Sequence, residues 1–256
     1  MSGRGGEGTL YGIHAVLGVL KRRPGAVHAL WLGQEARNPR LDEIRALALQ
    51  HRIPLKAASP DELDRRAGGA RHQGVLALFD PAGIALSEHD LDALLAQAGP
   101  QPLLLVLDGV QDPHNLGACL RTADAAGAHA VVVPRDRAAG ITPAVCKVAS
   151  GAVGHIPFVQ VTNLARALRT LRESGIWLVG TDMAGETPLH RADLNRPLAL
   201  VLGAEEKGLR RLTREACDWL VSIPMFGAVE SLNVSVAAGI CLFEAARQRL
   251  SAGVSK

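Results

Sequence analysis

Aromatic residues are scarce: three tryptophans, four phenylalanines and one tyrosine make up 3% of the chain. Extensive base stacking is therefore not the obvious way for it to bind a nucleic acid. No run of 18 or more apolar residues occurs, so no membrane-spanning helix is expected. The N-terminal stretch MSGRGGEGTLYG has no apolar h-region, and no signal peptide is expected. The four cysteines (Cys119, Cys146, Cys217, Cys241) lie far apart with no CxxC pair. That spacing speaks against a disulfide framework or a zinc site and fits a reducing cytoplasm. The phosphate-binding pattern GxxxxGK(S/T) is missing, so nucleoside triphosphate hydrolysis has no support. A GxGxxG turn after the first strand of the C-terminal part is missing too, which disfavours a standard dinucleotide site. The nine histidines contain no HExxH, and no GxSxG elbow supports a serine nucleophile. No metal is expected.

What is present is a globular composition: 256 residues, 48% hydrophobic and 21% charged, with mean hydropathy +0.13. That excludes disorder and collagen and is enough for two domains of unequal size. The net charge of +3 is unevenly spread. Residues 1–80 hold 12 Lys/Arg against 8 Asp/Glu, and residues 81–256 hold 16 against 17. A mildly basic N-terminal part suits a polyanionic partner, because phosphate attraction dominates nucleic-acid affinity.

Hydrophobic spacing organises the chain. Residues 1–80 read as a small α/β unit. Helical stripes fall at Tyr11–Leu20 and Leu41–His51, and strands at Ala29–Leu32 and Gly74–Phe79. A short helix is expected over Pro60–Ala67, with Ser59 as N-cap and Pro60 at its first position. Residues 81–101 carry Asp80-Pro81 and Gly99-Pro100-Gln101-Pro102 at their ends and read as a linker holding one short helix. From 102 to 256, apolar runs at Leu103–Leu107, Ala130–Val133, Ile176–Gly180, Leu198–Leu202 and Trp219–Ile223 alternate with helical patterns. Continuous apolar strands between helices predict a mostly parallel sheet covered on both faces.

In such a sheet ligands sit beyond the carboxyl ends of the strands. Three strand ends lead into unusual loops: Asp108-Gly109-Val110-Gln111-Asp112-Pro113-His114-Asn115, Gly203-Ala204-Glu205-Glu206-Lys207-Gly208, and Pro224-Met225-Phe226-Gly227 running on to Ser231-Leu232-Asn233-Val234-Ser235. Each alone has a plain explanation. Asn115 reads as the N-cap of the helix that carries Arg121, and Ser-Leu-Asn-Val-Ser as a helix start. Their common position at the ends of one sheet points to a site.

At these loops the sequence resembles the SpoU branch of the SPOUT RNA 2′-O-methyltransferases. The motifs are Asn115-Leu116-Gly117-Ala118-Cys119-Leu120-Arg121-Thr122-Ala123, then Leu200 to Leu209 with Ile223-Pro224-Met225, then Ser231-Leu232-Asn233-Val234-Ser235-Val236-Ala237. Tyr11-Gly12-Ile13-His14-Ala15-Val16 and His72-Gln73-Gly74-Val75 resemble the marks of the small L30e-like RNA-binding domain. The 107–115 stretch is closest to the branch that methylates a guanosine in the peptidyl-transferase P-loop of 23S rRNA. The resemblance implies an L30e-like RNA substrate-binding domain at 1–80, a linker at 81–101 and a knotted parallel-sheet methyltransferase domain at 102–256. The implied activity is transfer of a methyl group from S-adenosyl-L-methionine to the ribose 2′-OH of a 23S rRNA guanosine, or of a ribosomal precursor, by a cytoplasmic homodimer.

Cofactor-binding positions implied by the motif match are Thr181, Gly203, Ile223 and Leu232. Arg121 matches the proposed proton acceptor, with Asn115, Glu205, Ser231 and Asn233 completing the site. Two roles stay open for Arg121: a base of strongly depressed pKa, or a cation that clamps RNA phosphate and positions the hydroxyl. Deprotonating a guanidinium near pH 7 costs about 7 kcal/mol, which favours the clamp. Asn115 and Asn233 can orient loops or ribose, Glu205 can hold Arg121, and Ser231 can cap the last helix or touch substrate. RNA contacts are expected from Lys21, Arg22 and Arg23 and from Arg65, Arg66, Arg71 and His72, although each set also fits a solvated basic face. Two alternatives stand beside this reading: a tRNA ribose methyltransferase, and an inactive RNA-binding or ribosome-assembly protein.

Overall fold

A computed structural model describes residues 7–33, 38–204 and 208–253. In chain order the first elements are β1 (Gly8–Tyr11), α1 (Ile13–Arg22), β2 (Val27–Gly33), α2 (Pro39–Gln50), β3 (Leu55–Ala58), α3 (Pro60–Ala67) and β4 (Val75–Phe79). They are followed by β5 (Leu86–Ser87), α4 (Leu91–Gln97), β6 (Leu103–Asp108), α5 (Pro113–Ala125), β7 (Ala130–Pro134), α6 (Pro143–Ala149), β8 (Phe158–Val161) and α7 (Leu164–Glu173). The last are β9 (Trp177–Thr181), β10 (Thr187–Pro188), β11 (Leu198–Gly203), α8 (Arg211–Ala216), β12 (Trp219–Ser222) and α9 (Val234–Ser251). The chain forms two compact units: residues 1–85 with 140–155, and residues 86–139 with 156–256.

The smaller unit is built on a four-stranded sheet in the order β1-β4-β2-β3. β4 is antiparallel to both β1 and β2, and β3 runs parallel to β2. α3 closes one face, packing Leu63 and Ala67 against Trp31, Ala58 and Leu76. Ser59 caps it as expected, accepting from the Glu62 N–H at 3.3 Å. The two sequence motifs of this unit meet at one junction. The Gln73 side chain accepts from the Ile13 N–H at 3.0 Å, and the Gly12 N–H donates to the Val75 carbonyl at 3.3 Å. Residues 140–155 join this unit through a close backbone approach. A Cβ on Gly18 would lie 1.8 Å from the Gly154 carbonyl oxygen, and one on Gly154 would lie 2.4 Å from that of Ala15. Glycine is the residue that permits such contact.

The larger unit holds an eight-stranded sheet in the order β10-β12-β9-β11-β6-β7-β8-β5, with every pairing parallel. β6 and β7 are buried along their whole length, which explains their unbroken apolar runs. One face packs Leu104, Val106, Val132, Val159, Leu178 and Val201 against Leu168 and Leu171 of α7 and Ala216 of α8. α5 and α9 pack on each other, α5 also against β7 and α9 against β11. Residues 86–97, inside the stretch read as a linker, supply β5 and α4 to this unit.

The far end of α9 is stapled by one side chain. Arg249 donates to the carbonyls of Gln101 (2.8 Å), Pro102 (3.0 Å) and Arg196 (2.8 Å). The chain segments entering β6 and β11 are thereby tied to the last helix, and burial lowers the pKa of the Arg249 guanidinium. At the same end of the sheet Trp177 and Trp219 stack at 4.7 Å between ring centroids, and both lie under 5 Å from the Arg196 guanidinium.

Candidate active site

β6 and β11 are neighbours in the sheet, and their register pairs Asp108 with Gly203 at the carboxyl ends. The chain leaves β6 toward β7 on one side and returns through β9 on the other, so this is a topological switch point. Gly203 and Ala204 meet Gly208 closely at the end of β11. A Cβ on Gly203 would lie 2.0 Å from the Gly208 carbonyl carbon, and Ala204 forms a bridge to Gly208. Only glycine at 203 lets Gly208 come so near. Beyond Gly208, Arg210 is held by Asp108, which accepts its backbone N–H at 2.9 Å and its guanidinium.

Past these strand ends lies a cavity of about 1000 Å³. Thr181 and Asp182 from the end of β9, Leu202 and Gly203 from β11, and Ser222 and Ile223 from β12 form its inner wall. The loop from Pro224 to Leu232 forms much of the rest. All four residues expected to bind cofactor (Thr181, Gly203, Ile223 and Leu232) therefore line the same cavity, as does Ser231. The lining is mixed: apolar at Leu202, Leu209, Ile223, Leu232 and Val234, acidic at Asp182 and Glu230. Asp182 pairs with Arg214 at 3.1 Å, and both line the cavity.

The polar side chains at the edge differ in detail from the sequence reading. Asn115 is not an N-cap. Asp112 caps α5, accepting from the His114 N–H at 2.9 Å, and Pro113 occupies the first helical position. A proline pre-set for the first helical position moves the cap to the residue before it. Asn115 thus sits in the first turn, where its Oδ1 accepts from Asn233 Nδ2 at 2.9 Å. Ser231 does not cap α9 either. Asn233 does, accepting from the Ser235 N–H at 2.9 Å and the Ser235 hydroxyl at 2.6 Å. One amide therefore starts α9 and binds it to the start of α5. Arg121 lies on the exposed face of α5 and is not among the cavity residues. Glu205 lies outside the described residues.

Asp108, Asp182 and Arg214 were missed as site residues by the sequence reading. Asp108, the last residue of β6, was noted at its strand end without a role; the same rule would have found Asp182, which follows directly from β9, and nothing local marks Arg214. Three thiols are chemically quiet: burial pushes Cys146, Cys217 and Cys241 up to about 12. No group of three or more His, Cys, Asp or Glu among the described residues is placed to hold a metal.

The expected RNA contacts divide into two kinds. Lys21 is paired with Glu43 at 2.6 Å, Arg22 donates to the Gly154 carbonyl, and Arg23 ends α1 half-buried. His72 holds a turn, with Nδ1 accepting from the Gly74 N–H (3.0 Å) and Nε2 3.2 Å from Asp64. Lys21, Arg22 and His72 thus have partners within the chain. Arg65, Arg66 and Arg71 are exposed on α3 and the following loop. Arg66 and Lys56 both lie over the Trp31 ring, at 4.5 and 5.1 Å.

Residues 102–243 match the SpoU rRNA Methylase family model, and residues 9–85 match that for RNA 2′-O ribose methyltransferase substrate binding. The chain belongs to the SpoU methylase family. It is 53% identical over 240 residues to the 23S rRNA (guanosine-2′-O-)-methyltransferase RlmB of Pseudomonas putida, covering 94% of this chain and 96% of that one. Identity to the enzyme of the same name from Shewanella oneidensis is 53% over 242 residues, covering 94% and 98%. Among solved structures, the SpoU methyltransferase AviRb from Streptomyces viridochromogenes in complex with AdoMet superposes with TM-score 0.69 at 30% identity, over 96% of this chain and 92% of that one. An AdoMet-bound rRNA methyltransferase from Sinorhizobium meliloti gives 0.71 at 25% identity, over 94% and 87%. The mixed α/β architecture, the parallel sheet and the N-terminal substrate-binding domain are thus those of SpoU methyltransferases.

Proposed function

We propose that this protein transfers a methyl group from S-adenosyl-L-methionine to the ribose 2′-OH of a guanosine in 23S rRNA. The observation that carries the reading is the single cavity that gathers Thr181, Gly203, Ile223 and Leu232 at the carboxyl end of the parallel sheet. Its make-up fits the methyl donor. Leu202, Leu209 and Ile223 suit an adenine ring, and Asp182 and Glu230 suit hydroxyl and ammonium groups.

When bound, that donor supplies an electrophilic methyl group. The chain's task is to place a ribose hydroxyl in line with it and to favour loss of the hydroxyl proton. The Asn115–Asn233 pair fixes the starts of α5 and α9, and so the edge against which a ribose would be seated. Arg121, exposed and cationic, clamps RNA phosphate and stabilises negative charge developing on the 2′ oxygen. Ser231, on the cavity wall, offers a hydroxyl to the substrate, and Glu205 completes the site.

Residues 1–85 with 140–155 act as the RNA-delivery domain, and residues 86–139 with 156–256 form the methyltransferase domain, its C-terminal segment threaded as a trefoil knot. Arg65, Arg66 and Arg71, with Lys56, present the basic face to RNA. The active form is a homodimer in the cytoplasm. Support for the dimer comes from α9, where Val236, Ile240 and Phe243 form an exposed apolar row at helical spacing.

Methyl transfer from labelled S-adenosylmethionine tests the reading. Arg121→Ala is expected to abolish turnover while calorimetric binding of the donor persists. Loss of donor binding by wild-type protein would instead favour an inactive RNA-binding protein.

A further inference from the structure

The loop between β12 and α9 carries one residue that this reading does not use. Ile223, Pro224 and Met225 line the cavity on one side of it, and Gly227, Ala228 and Val229 on the other. Phe226 stands between them and is 97% exposed. The ring belongs to one of the eight aromatic residues in a chain otherwise poor in them. An aromatic side chain left in water forgoes the hydrophobic gain of burial, so its position at the rim needs a reason. The loop is not loose at its ends: β12 is paired in the sheet, and Asn233 caps α9 while donating to Asn115. Two further apolar residues of the cavity lining, Met183 and Val229, are 70% and 63% exposed. The exposed part of the lining thus sets apolar side chains beside Glu230.

A nucleoside whose ribose enters this cavity leaves its base at the mouth. Unpaired bases are held by stacking on aromatic rings, and any base offers a suitable face. We infer that Phe226 is the platform on which the base of the target nucleotide stacks. The inference rests on the RNA methyltransferase reading above.

The test uses the full-length protein, unmodified 23S rRNA and the variants Phe226→Ala, Phe226→Leu and Phe226→Trp. Loss of one base–ring stack is expected to raise KM for RNA about 5- to 150-fold. Phe226→Leu keeps an apolar side chain but no ring and should lose nearly as much as Phe226→Ala; Phe226→Trp should restore wild-type KM. Calorimetric affinity for S-adenosylmethionine and the sedimentation behaviour should not change in any variant. An unchanged KM in Phe226→Ala beside an active wild type overturns the inference alone. So does a parallel loss of donor affinity, which would make the ring a cover for the donor. Dissociation of a dimer with KM unaltered would make it a contact between copies. A wild-type protein that transfers no methyl group to RNA overturns the underlying reading, and this one with it.

Discussion

The Asp108 carboxylate, with none of its side chain exposed, accepts both the backbone N–H and the guanidinium of Arg210. The pair spans 102 residues and fixes the exit of the 203–210 loop at the end of β6. Removing the two partners should have unequal effects. Arg210→Ala leaves a buried carboxylate without its counter-charge, at a cost of about 3–5 kcal/mol. Asp108→Asn removes the charge but keeps an acceptor, at a cost of about 1–3 kcal/mol. Urea denaturation of both variants checks the order; equal losses would contradict it.

Asn233 has two tasks, capping α9 and donating to Asn115. Asn233→Ala should cost about 1–2 kcal/mol from the cap alone. Asn115→Ala breaks the tie but leaves the α9 cap in place and should cost less. Their coupling in a double-mutant cycle should equal about one hydrogen bond, roughly 0.5–1.5 kcal/mol. Both variants should lose turnover beyond what their stability explains, because each shifts the edge of the site.

Arg249 reaches three carbonyls from α9. Lysine carries the charge but not the fork, so it cannot reproduce three directed bonds. Arg249→Lys should therefore lower the unfolding free energy in a urea titration nearly as far as Arg249→Ala, by about 2–4 kcal/mol from the usual worth of charged hydrogen bonds. Full retention of stability in the lysine variant would show that charge alone suffices.

The buried thiols set a pH dependence at the alkaline end. Cys146, Cys217 and Cys241 hold their protons to about 12 in the fold and lose them near 9 when unfolded. Between these values the native state binds more protons than the unfolded one, so stability falls as pH rises above about 9. Cys146→Ala should fall less steeply than wild type in a melting series from pH 8.5 to 10.5. At pH 8 the three native thiols should resist alkylation that the unfolded chain accepts.

The central strands were legible because burial on both faces writes an unbroken apolar run, as in Leu103–Leu107 and Leu198–Leu202. β3 was not, because Leu55, Lys56 and Ala57 are exposed at a sheet edge and carry no alternation. β10 has two residues and no pattern at all. The placement of residues 140–155 with 1–85 depends on a backbone contact between Gly18 and Gly154, 136 positions apart, which no local spacing reveals. At the site, the motif match supplied the cavity residues, but the helix starts were misread by one cap each. Pro113 was a signal in plain view, since it pointed to Asp112. The Asn233–Asn115 tie was not, because it joins two helices distant in sequence.

The central claim is tested most directly by mapping 2′-O-methyl groups after transfer from labelled S-adenosylmethionine to unmodified 23S rRNA. The account predicts a single guanosine protected from alkaline cleavage, in the peptidyl-transferase P-loop, and no protection with Arg121→Ala. Transfer to tRNA but not to 23S rRNA, or protection at no site, would contradict it.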